Sequence, residues 1–388
     1  MVKGFSTRLI HADEAGGAVA RPLTTPIYET TTFTFESAAE LQRYQDGGGG
    51  FLYSRYENPT VVALEAQLAT ADGADAALAF GSGMAAASTL LMALTTPGDE
   101  VVCGSAIYGG TFHLLNGFLA RFGVTSRFVS PEQMGDLGAV FGPRTRLLWC
   151  ETPSNPTLRC VDVRTVAAAC RAAGVMSVID NTFASPVNQQ PLALGVDLTM
   201  QSASKYLNGH SDVTAGTVAG PAALIEKIGK TRRLLGGILD PQPAYALLRG
   251  LKTLAVRVAQ HNANALAVAR GLEGHPGVAR VWYPGLESHP DHAVARAQMS
   301  GFGGMVCLDL EGGQAAAIRA YDRMQVVRRA ASLGGVESIA SIPVLTSHYG
   351  YTDAQLAEGG VTRGMLRISV GLEDAADVLA DVRQAIGQ

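Results

Sequence analysis

The chain of 388 residues is predicted to fold as an α/β protein with a mostly parallel sheet, followed by a smaller α+β region. Two observations predict this fold class. Between residue 58 and about residue 240, short apolar runs alternate with helical segments, which is typical of parallel sheets. Beyond Gly237 a long helical run leads into a separate group of strands. We therefore predict three parts, at residues 1–57, 58–240 and 241–388.

Composition narrows the class of protein. With 47% apolar residues, the chain can bury a large core. Its net charge of −4 and the lack of a basic stripe with interleaved aromatic residues argue against a nucleic-acid partner. No uninterrupted apolar run is long enough for a membrane span, and residues 1–5 lack the apolar core of a signal peptide. Five cysteines without paired spacing favour reduced thiols, so we expect a cytoplasmic enzyme.

The first 57 residues are rich in Thr, Pro and Gly and poor in helical periodicity. They predict an extended arm that cannot bury itself and therefore stays mobile or lies across another subunit. A helix is predicted to begin near Pro59, because proline suits the first helical position, and to continue through Ala71.

The remaining elements follow in order. Strands are predicted at residues 76–80, 100–103, 146–150, 177–179, 198–200, 278–282, 304–308 and 365–369. Helices are predicted at residues 84–94, at 163–173 with Gly174 as the terminator, and at 247–272 as a single linker helix. No internal repeat or low-complexity segment is visible.

Polar residues follow two of the buried strands. Asp180 comes directly after residues 177–179, and Ser202, Ser204 and Lys205 come after residues 198–200. The ends of parallel strands open into the crevice where ligands bind. A lysine amine, a fixed anion and short hydroxyl donors suit pyridoxal phosphate, whose aldehyde forms a Schiff base with lysine. Taken singly, the same residues also fit a solvent-exposed lysine and an aspartate that caps a helix.

Other strand ends carry further candidates. The glycine-containing turn before Met84 lies between a strand and a helix, where backbone amides can bind phosphate, although such turns are common. Tyr108 follows residues 100–103 and either stacks on a planar ring or packs under a loop. The turn from Glu151 to Pro156 holds an acid and an amide at the edge of the sheet. His210 is interpreted as a structural loop residue, because no second ligand lies at metal-binding spacing.

Together these motifs resemble those of the γ-subfamily of Cys/Met-metabolism pyridoxal-phosphate enzymes, the trans-sulfuration enzymes. The resemblance extends from residue 25 to residue 371. It rests on Tyr53-Ser54-Arg55, Asn58-Pro59-Thr60, Ser82-Gly83-Met84, Tyr108-Gly109, Glu151-Thr152-Pro153, Asp180-Asn181-Thr182, Ser202-Ala203-Ser204-Lys205-Tyr206 and Ser332-Leu333-Gly334-Gly335. It implies the aspartate-aminotransferase type of fold (fold type I), with a seven-stranded, mostly parallel sheet in the large domain. It also implies a homotetramer built from two catalytic dimers.

The resemblance also implies a role for each site residue. Lys205 would form the Schiff base with pyridoxal 5'-phosphate, Asp180 would face the pyridine nitrogen, and Tyr108 would stack on the ring and act as an acid. The phosphate would be bound by Gly83, Met84, Ser202 and Ser204, and by Tyr53 and Arg55 of the neighbouring subunit. The substrate carboxylate would be bound by Asn155, Ser332 and Arg367. The family usually has Thr in place of Ser204, which keeps the hydroxyl.

The implied reaction is γ-elimination from a sulfur amino acid. Similar cystathionine enzymes have an acid where this chain has Leu52 and an arginine where it has Val61, so methionine is the favoured substrate. Three positions argue otherwise: Gly110, where many methionine γ-lyases have Cys; Arg232-Arg233, where they have Lys-Asp; and Glu337, which cystathionine enzymes share. Cystathionine γ-lyase, cystathionine γ-synthase and O-acylhomoserine sulfhydrylase therefore remain alternatives.

Two other classes of protein fit less well. A nucleotide-dependent oxidoreductase would need a GxGxxG motif after its first strand, and the sequence has none there. A non-catalytic binding protein on the same fold would be expected to lose Lys205 or Asp180, and both are present. The presence of both Lys205 and Asp180 favours an enzyme.

Overall fold

The computed structural model describes residues 4–11 and 22–387 and contains two sheets. The large sheet comprises β1 (Ala76–Phe80), β2 (Glu100–Gly104), β3 (Thr125–Val129), β4 (Thr145–Glu151), β5 (Met176–Asp180), β6 (Leu198–Gln201) and β7 (Gly216–Gly220). The small sheet comprises β8 (Val278–Trp282), β9 (Met305–Leu310), β10 (Arg328–Arg329), β11 (Ile339–Ser341) and β12 (Met365–Ser369).

The large sheet has seven strands in the order β1-β7-β6-β5-β4-β2-β3. The pairs among β2 to β6 are parallel, and only β7 runs antiparallel to both of its neighbours. The mostly parallel seven-stranded sheet is thereby confirmed. The small sheet, in the order β10-β11-β12-β9-β8, is antiparallel except for the β10–β11 pair. The large sheet lies within the predicted range 58–240 and the small one within 241–388, while the domain boundaries themselves stay predictions.

Helices flank both sheets. They are α1 (Phe5–His11), α2 (Ala38–Gln45), α3 (Pro59–Asp72), α4 (Gly83–Leu94), α5 (Gly109–His113), α6 (Leu137–Val140), α7 (Val163–Ala173), α8 (Ser185–Asn188), α9 (Ala222–Leu235), α10 (Pro241–Lys252), α11 (Leu254–Leu272), α12 (His292–Gln298), α13 (Gly313–Arg323), α14 (Asp353–Glu358) and α15 (Ala375–Ile386). A π-helical turn at Leu114–Phe118 and 3₁₀ turns at Leu119–Phe122, Gln133–Gly135, Leu192–Leu194 and Pro343–Leu345 complete the list.

Local signals in the sequence set the helix ends. The Asn58 side chain accepts a hydrogen bond from the Thr60 amide at 3.0 Å, and Pro59 occupies the first position of α3. Asp162 caps α7 in the same way, and Gly174 ends that helix with a positive φ of 66°. Both helices therefore begin where the sequence predicts.

Strand β4 shows why the central strands are apolar throughout. Leu147 and Trp149 pack into the cluster on one face of the large sheet, together with α4. Leu148 and Cys150 pack into the cluster on the opposite face, together with α7. Because helices cover both faces, alternating apolar and polar residues would leave polar side chains buried.

The prediction that residues 1–57 are extended is wrong in two places. Helix α1 buries Leu9 against α3, and the Gln67 side-chain amide donates a hydrogen bond to the Leu9 carbonyl. Helix α2 forms because Ser37 accepts a hydrogen bond from the Glu40 amide, while the Glu40 carboxylate accepts one from the Glu36 amide. Residues 1–3 and 12–21 of the predicted arm lie outside the described residues.

The predicted single helix at 247–272 is also wrong, because the run divides at Thr253 into α10 and α11. The buried Arg257 guanidinium donates to the Gly250 carbonyl at 2.7 Å and to the Thr253 hydroxyl at 3.1 Å. It thereby takes up a carbonyl that a continuous helix would have bonded to the backbone. The same guanidinium donates to the Tyr206 carbonyl at 2.8 Å. This bond holds the break between α10 and α11 against the segment that follows β6.

A buried ion pair joins α3 and α9 to β1. The Arg232 guanidinium, with the residue only 4% exposed, donates to the Glu65 carboxylate and to the Ala79 carbonyl. The Ala79 amide donates to the same carboxylate at 3.0 Å. Glu65→Ala is expected to lower the free energy of unfolding by about 3–5 kcal/mol, because it leaves a buried guanidinium without its anion. Urea denaturation monitored by circular dichroism measures this change.

The control for that prediction is Glu226→Ala, which breaks the exposed pair between Glu226 and Lys230 on α9. Its free energy of unfolding should equal that of the wild type, because solvent screens such pairs. Equal stability of the two variants would contradict the role given to the Glu65–Arg232 pair.

All five cysteines are buried and free of disulfides. Burial raises the pKa of Cys103 well above its ordinary value and does the same to the other four thiols. These side chains are therefore packing residues in the protonated form. Among the described residues, no helix combines the length and the apolar character needed to cross a membrane.

Candidate active site

A cavity of about 510 Å³ opens at the ends of β4, β5 and β6 and extends to β12 of the small sheet. It brings together ten of the twelve predicted site residues. These are Gly83, Met84, Tyr108, Asn155, Asp180, Ser202, Ser204, Lys205, Ser332 and Arg367. The other lining residues are Ser82, Thr111, Glu151, Thr182, Phe183, Met200, Thr214, Ala331, Leu333, Thr346 and Ser347.

Lys205 lies in the turn that follows β6, where its amide donates to the Ser202 carbonyl at 3.2 Å. Its Nζ donates to the Ser332 hydroxyl at 2.8 Å. Burial, together with the positive charge of Arg367, lowers the pKa of Lys205 to about 8. A larger fraction of this amine is therefore neutral near pH 7 than for an ordinary lysine, and the neutral amine is the form that attacks an aldehyde.

Asp180 is the last residue of β5 and is buried. Its Oδ1 accepts hydrogen bonds from the Thr182 amide at 3.0 Å and the Thr182 hydroxyl at 2.5 Å. Burial raises the pKa of Asp180 to about 6, and the two bonds from Thr182 oppose that rise. Among residues 4–11 and 22–387 no ion pair is found for Asp180, so this buried carboxylate suits a protonated ring nitrogen.

The N-terminus of α4 forms a polar end of the cavity. Ser82 caps the helix by accepting a hydrogen bond from the Ala85 amide at 3.0 Å, and the first amides of a helix have no acceptor within it. A Cβ added at Gly83 would lie 3.1 Å from Cβ of Ser202, so Ser202 lies directly against this first turn. The amides and the hydroxyl therefore form a site that suits a phosphate group.

Ser204, predicted to bind phosphate, also bonds to the backbone of its own chain. It lines the cavity, but its hydroxyl donates to the Ala215 carbonyl at 3.2 Å and accepts from the Ala215 amide at 2.9 Å. Its contacts therefore hold the turn that carries Lys205 against the start of β7. A second contact, from the Ser202 amide to the Thr182 hydroxyl at 2.8 Å, links this turn to Asp180.

Arg367, on β12, faces the cavity from the small sheet and is 6% exposed. Its guanidinium donates to the Asn155 side-chain carbonyl at 2.7 Å and to the Ser332 backbone carbonyl at 3.4 Å. It also lies 5.9 Å from the centre of the Phe183 ring. Burial lowers its pKa, yet no carboxylate forms an ion pair with it among the described residues. A planar, positively charged group in this position matches an amino-acid carboxylate.

Tyr108 stands at the N-terminus of α5 and is 47% exposed. Its backbone amide donates to the Glu151 carboxyl at 2.8 Å. Burial, reinforced by the nearby charge of Asp180, raises the pKa of Glu151 well above its ordinary value. Glu151 was not among the predicted site residues. Its place at the end of a predicted strand is the feature of the sequence that could have identified it.

Several other lining residues were also missed. Phe183 adjoins the predicted Asp180 motif, whereas Thr111 lies within α5, and Thr346 and Ser347 follow a 3₁₀ turn. The last two belong to a loop far along the chain from the other site residues. No local pattern in the sequence connects that loop with the large sheet.

Tyr53 and Arg55 lie outside the cavity of their own chain. The Arg55 guanidinium donates to the Arg233 carbonyl at 2.7 Å and stacks 4.6 Å from the centre of the Tyr56 ring. Tyr53 is 39% exposed. Neither side chain lines the cavity that contains Lys205 of the same subunit.

Residues that bear on substrate choice are placed as follows. Val61 is 7% exposed within the core, and Glu337 accepts a hydrogen bond from the Ser211 hydroxyl at 3.3 Å; neither lines the cavity. His210 bonds through Nδ1 to the Asn208 carbonyl at 2.8 Å. Within residues 4–11 and 22–387, no group of three or more His, Cys, Asp or Glu side chains is arranged to hold a metal ion.

Comparison with known proteins agrees with this geometry. Residues 6–387 match the family described as "Cys/Met metabolism PLP-dependent enzyme". The chain is 42% identical over 390 residues to the L-methionine gamma-lyase of Pseudomonas putida, covering 99% of this chain and 97% of that protein. It is also 42% identical over 393 residues to the cystathionine gamma-synthase of Mycobacterium leprae, covering 99% of this chain and 97% of that protein.

Solved structures show the same relationship. Cystathionine gamma-lyase from Lactobacillus plantarum, complexed with L-serine, superposes with a TM-score of 0.92 and 38% identity, covering 99% of this chain and 98% of that chain. The predicted fold type I is thereby confirmed. The amine, the buried carboxylate and the amides at the start of α4 fit the cofactor of this family. The chain therefore belongs to the Cys/Met-metabolism family of γ-lyases and γ-synthases, enzymes whose cofactor is pyridoxal phosphate.

Proposed function

We propose that the protein catalyses γ-elimination from a sulfur amino acid, with L-methionine as the preferred substrate. Methionine and water would yield methanethiol, 2-oxobutyrate and ammonia. The observation that carries this proposal is the charge of the cavity. Of the described residues that line it, Arg367 is the only arginine, and the only other cation is Lys205. Such a cavity offers one site for one substrate carboxylate.

The proposed roles follow from the positions described above. Pyridoxal phosphate, when bound, supplies an electrophilic aldehyde and an electron-accepting ring. Lys205 would hold it covalently, Asp180 would face its ring nitrogen, and Tyr108 would cover its ring. Its phosphate would be bound by the Gly83 and Met84 amides and by the hydroxyls of Ser202 and Ser204, with Tyr53 and Arg55 supplied by a neighbouring subunit.

The chain's own groups would also move the protons. Arg367, with Asn155 and Ser332 beside it, would orient the substrate by its carboxylate. The Lys205 Nζ would then remove the proton from Cα and a second one from Cβ. The Tyr108 hydroxyl would donate a proton to sulfur as the Cγ–S bond breaks. This order of steps would use one base and one acid that line the same cavity.

The tail of the substrate decides between methionine and the alternatives. Methionine ends in an uncharged thioether, which Met84, Met200 and Leu333 can contact without further polar partners. Cystathionine carries a second ammonium and a second carboxylate at that end. An unpaired buried charge costs a few kcal/mol, enough to set specificity. The single Arg367 therefore favours methionine.

A second candidate is supported by a different part of the lining. Thr111 and Ser347 line the cavity, and their hydroxyls suit a tail with oxygen acceptors such as a homoserine ester. The hydroxyl of Thr346, which also lines it, donates to the Ile342 carbonyl at 2.9 Å. The similarity to a cystathionine gamma-synthase equals that to a methionine gamma-lyase. Cystathionine γ-synthase and O-acylhomoserine sulfhydrylase are therefore the alternatives, together with cystathionine γ-lyase.

The deciding experiment measures 2-oxobutyrate release from methionine, cystathionine and O-acetylhomoserine side by side. A parallel reaction contains O-acetylhomoserine with cysteine or sulfide and is analysed for the thioether or thiol product. The highest kcat/KM for methionine would support the proposal. Faster turnover of cystathionine would assign a cystathionine γ-lyase, and replacement faster than elimination would assign a synthase or sulfhydrylase.

We also propose that the enzyme is a homotetramer of two catalytic dimers in the cytoplasm. The support for the dimer is that Tyr53 and Arg55 do not line the cavity of their own chain, and the support for the location is the set of free thiols. Arg55→Ala and Lys205→Ala proteins should each be nearly inactive. Their mixture, after dissociation and reassembly, should regain activity, because one cavity of a mixed dimer then has both residues intact.

The matched control is a mixture of Lys205→Ala with Lys205→Met. No pairing of these two subunits restores an amine, so this mixture should stay inactive. A mixture of the Arg55 and Lys205 variants that stays equally inactive, although size-exclusion chromatography shows mixed oligomers, would contradict a site shared between subunits.

A further inference from the structure

Glu151 is a buried carboxyl group that the proposed reaction does not use. It is the last residue of β4 and lies opposite Asp180 in the register of β4 with β5. It is 5% exposed, and it lines the cavity. Its Oε2 accepts the hydrogen bond from the Tyr108 amide, whereas its Oε1 has no hydrogen-bond partner among the described residues. A half-satisfied buried carboxyl is costly, so its presence beside the site calls for an explanation.

The segment that Glu151 contacts has few other anchors. Helix α5 contains five residues, and no side chain caps its N-terminus at Tyr108. A Cβ at Gly109 would clash with the Ser347 carbonyl, so the first turn of α5 already touches the loop on that side. A Cβ at Gly110 would clash with the Tyr108 ring, so the ring lies directly over this glycine. The bond to Glu151 holds the opposite side of the turn.

We propose that Glu151 is a positioning residue that fixes the Tyr108 ring over the cavity by accepting the Tyr108 backbone hydrogen bond. This inference rests on the proposed role of Tyr108. The backbone of Tyr108 is held between the end of β4 and the loop that contains Ser347. Because the side chain extends from this backbone, the position of the backbone determines where the ring lies. Misplacement of a reacting group by about 1 Å costs on the order of 100-fold in rate.

The groups around Glu151 set its protonation state. Asp180 on β5, Cys103 on β2 and Cys150 on β4 face it as acids, and Arg367 on β12 faces it as a cation. Burial and the Asp180 charge raise the pKa of Glu151, against the smaller opposing effects of the Tyr108 amide and Arg367. Whether charged or neutral, the carboxyl keeps an oxygen that accepts the hydrogen bond from the Tyr108 amide, as a glutamine side chain would.

The test compares Glu151→Gln with Glu151→Leu in the holoenzyme, using whichever of the three amino acids the wild type turns over fastest. Failure of the methionine proposal therefore does not affect the result. Glu151→Leu is expected to lower kcat about 10- to 100-fold with unchanged coenzyme absorbance. Glu151→Gln is expected to keep kcat within about threefold, with the same pH profile, because it keeps the acceptor.

A double-mutant comparison separates positioning of Tyr108 from general damage. If Glu151 acts by placing the Tyr108 side chain, the kcat ratio between Glu151→Gln and Glu151→Leu should be smaller in a Tyr108→Phe background than with tyrosine. General damage by the leucine would give the same ratio in both backgrounds. Glu100→Gln, on β2 and paired with Arg127, is the control for loss of a carboxylate and should leave kcat unchanged.

Two results would overturn the inference. One is a Glu151→Leu enzyme that folds, binds the coenzyme and keeps kcat within about twofold of the wild type, since removal of the acceptor would then have no effect on positioning. The other is a Glu151→Gln enzyme as slow as Glu151→Leu with a displaced pH profile, which would assign Glu151 a charged role instead.

Discussion

Lys205→Ala is expected to abolish turnover of every amino acid that the wild type accepts. The amine is both the proposed covalent anchor for the coenzyme and the proposed base for the two proton removals. Loss of a positioned base alone lowers rates by about 10²–10⁴-fold. Borohydride reduction followed by peptide mass analysis measures the other role. The wild-type peptide that contains Lys205 should carry the coenzyme covalently, and the variant peptide should not.

The control for this prediction is Lys230→Ala, which removes an exposed amine from α9. It should keep both the turnover and the covalent label on Lys205. The assignment of Lys205 would be wrong if Lys205→Ala turned over substrate at the wild-type rate and carried the covalent label on another lysine.

Arg367→Ala is expected to have the second largest effect. A hydrogen bond to a charged group is worth about 1.5–3 kcal/mol, so the loss of two bonds to a substrate carboxylate should lower kcat/KM by roughly 10²–10⁴-fold. Most of the loss should fall on KM if the contact is equally strong in the ground state and the transition state. Steady-state kinetics with the best substrate, together with the visible absorbance of the bound coenzyme, measure both quantities.

Arg367→Lys serves as the graded comparison, because lysine keeps the charge but not the planar pair of donors. We expect it to fall between the wild type and Arg367→Ala. Arg363→Ala, which breaks an exposed pair with Asp353, should leave kcat/KM unchanged. Equal values for Arg363→Ala and Arg367→Ala would remove the basis for the proposed carboxylate site.

The strands that could be predicted are those whose side chains alone explain their burial. Met365–Ser369 is found where the sequence predicts it and is buried throughout. Val278–Trp282 is also found at its predicted place, although Val281 is its only buried residue. Strand β7 was missed, since it consists of Gly, Thr, Val and Ala. A Cβ at Gly216 would clash with the Ser82 carbonyl, and one at Gly220 would clash with Leu198. Close packing demands small residues there, and small residues carry no strand pattern.

The site was predictable to the extent that it is built at strand ends. Asp180 ends β5 and Lys205 follows β6, and these two strands pair directly, so the approach of the two residues follows from the parallel sheet. Thr346 and Ser347 reach the cavity only because the small sheet lies against the large one, and no periodicity encodes that contact. The break at Thr253 was missed for a related reason, since it depends on a buried guanidinium that binds backbone carbonyls.

The hydrogen bonds of Arg257 have a consequence for tolerance to mutation. The Arg257 side chain donates hydrogen bonds to the carbonyls of Tyr206 and Gly250. It therefore ties the segment next to Lys205 to the break between α10 and α11. A substitution of Arg257 is therefore expected to slow the enzyme, although this residue does not line the cavity. The distance of a residue from Lys205 along the sequence is therefore a poor guide to whether its substitution preserves activity.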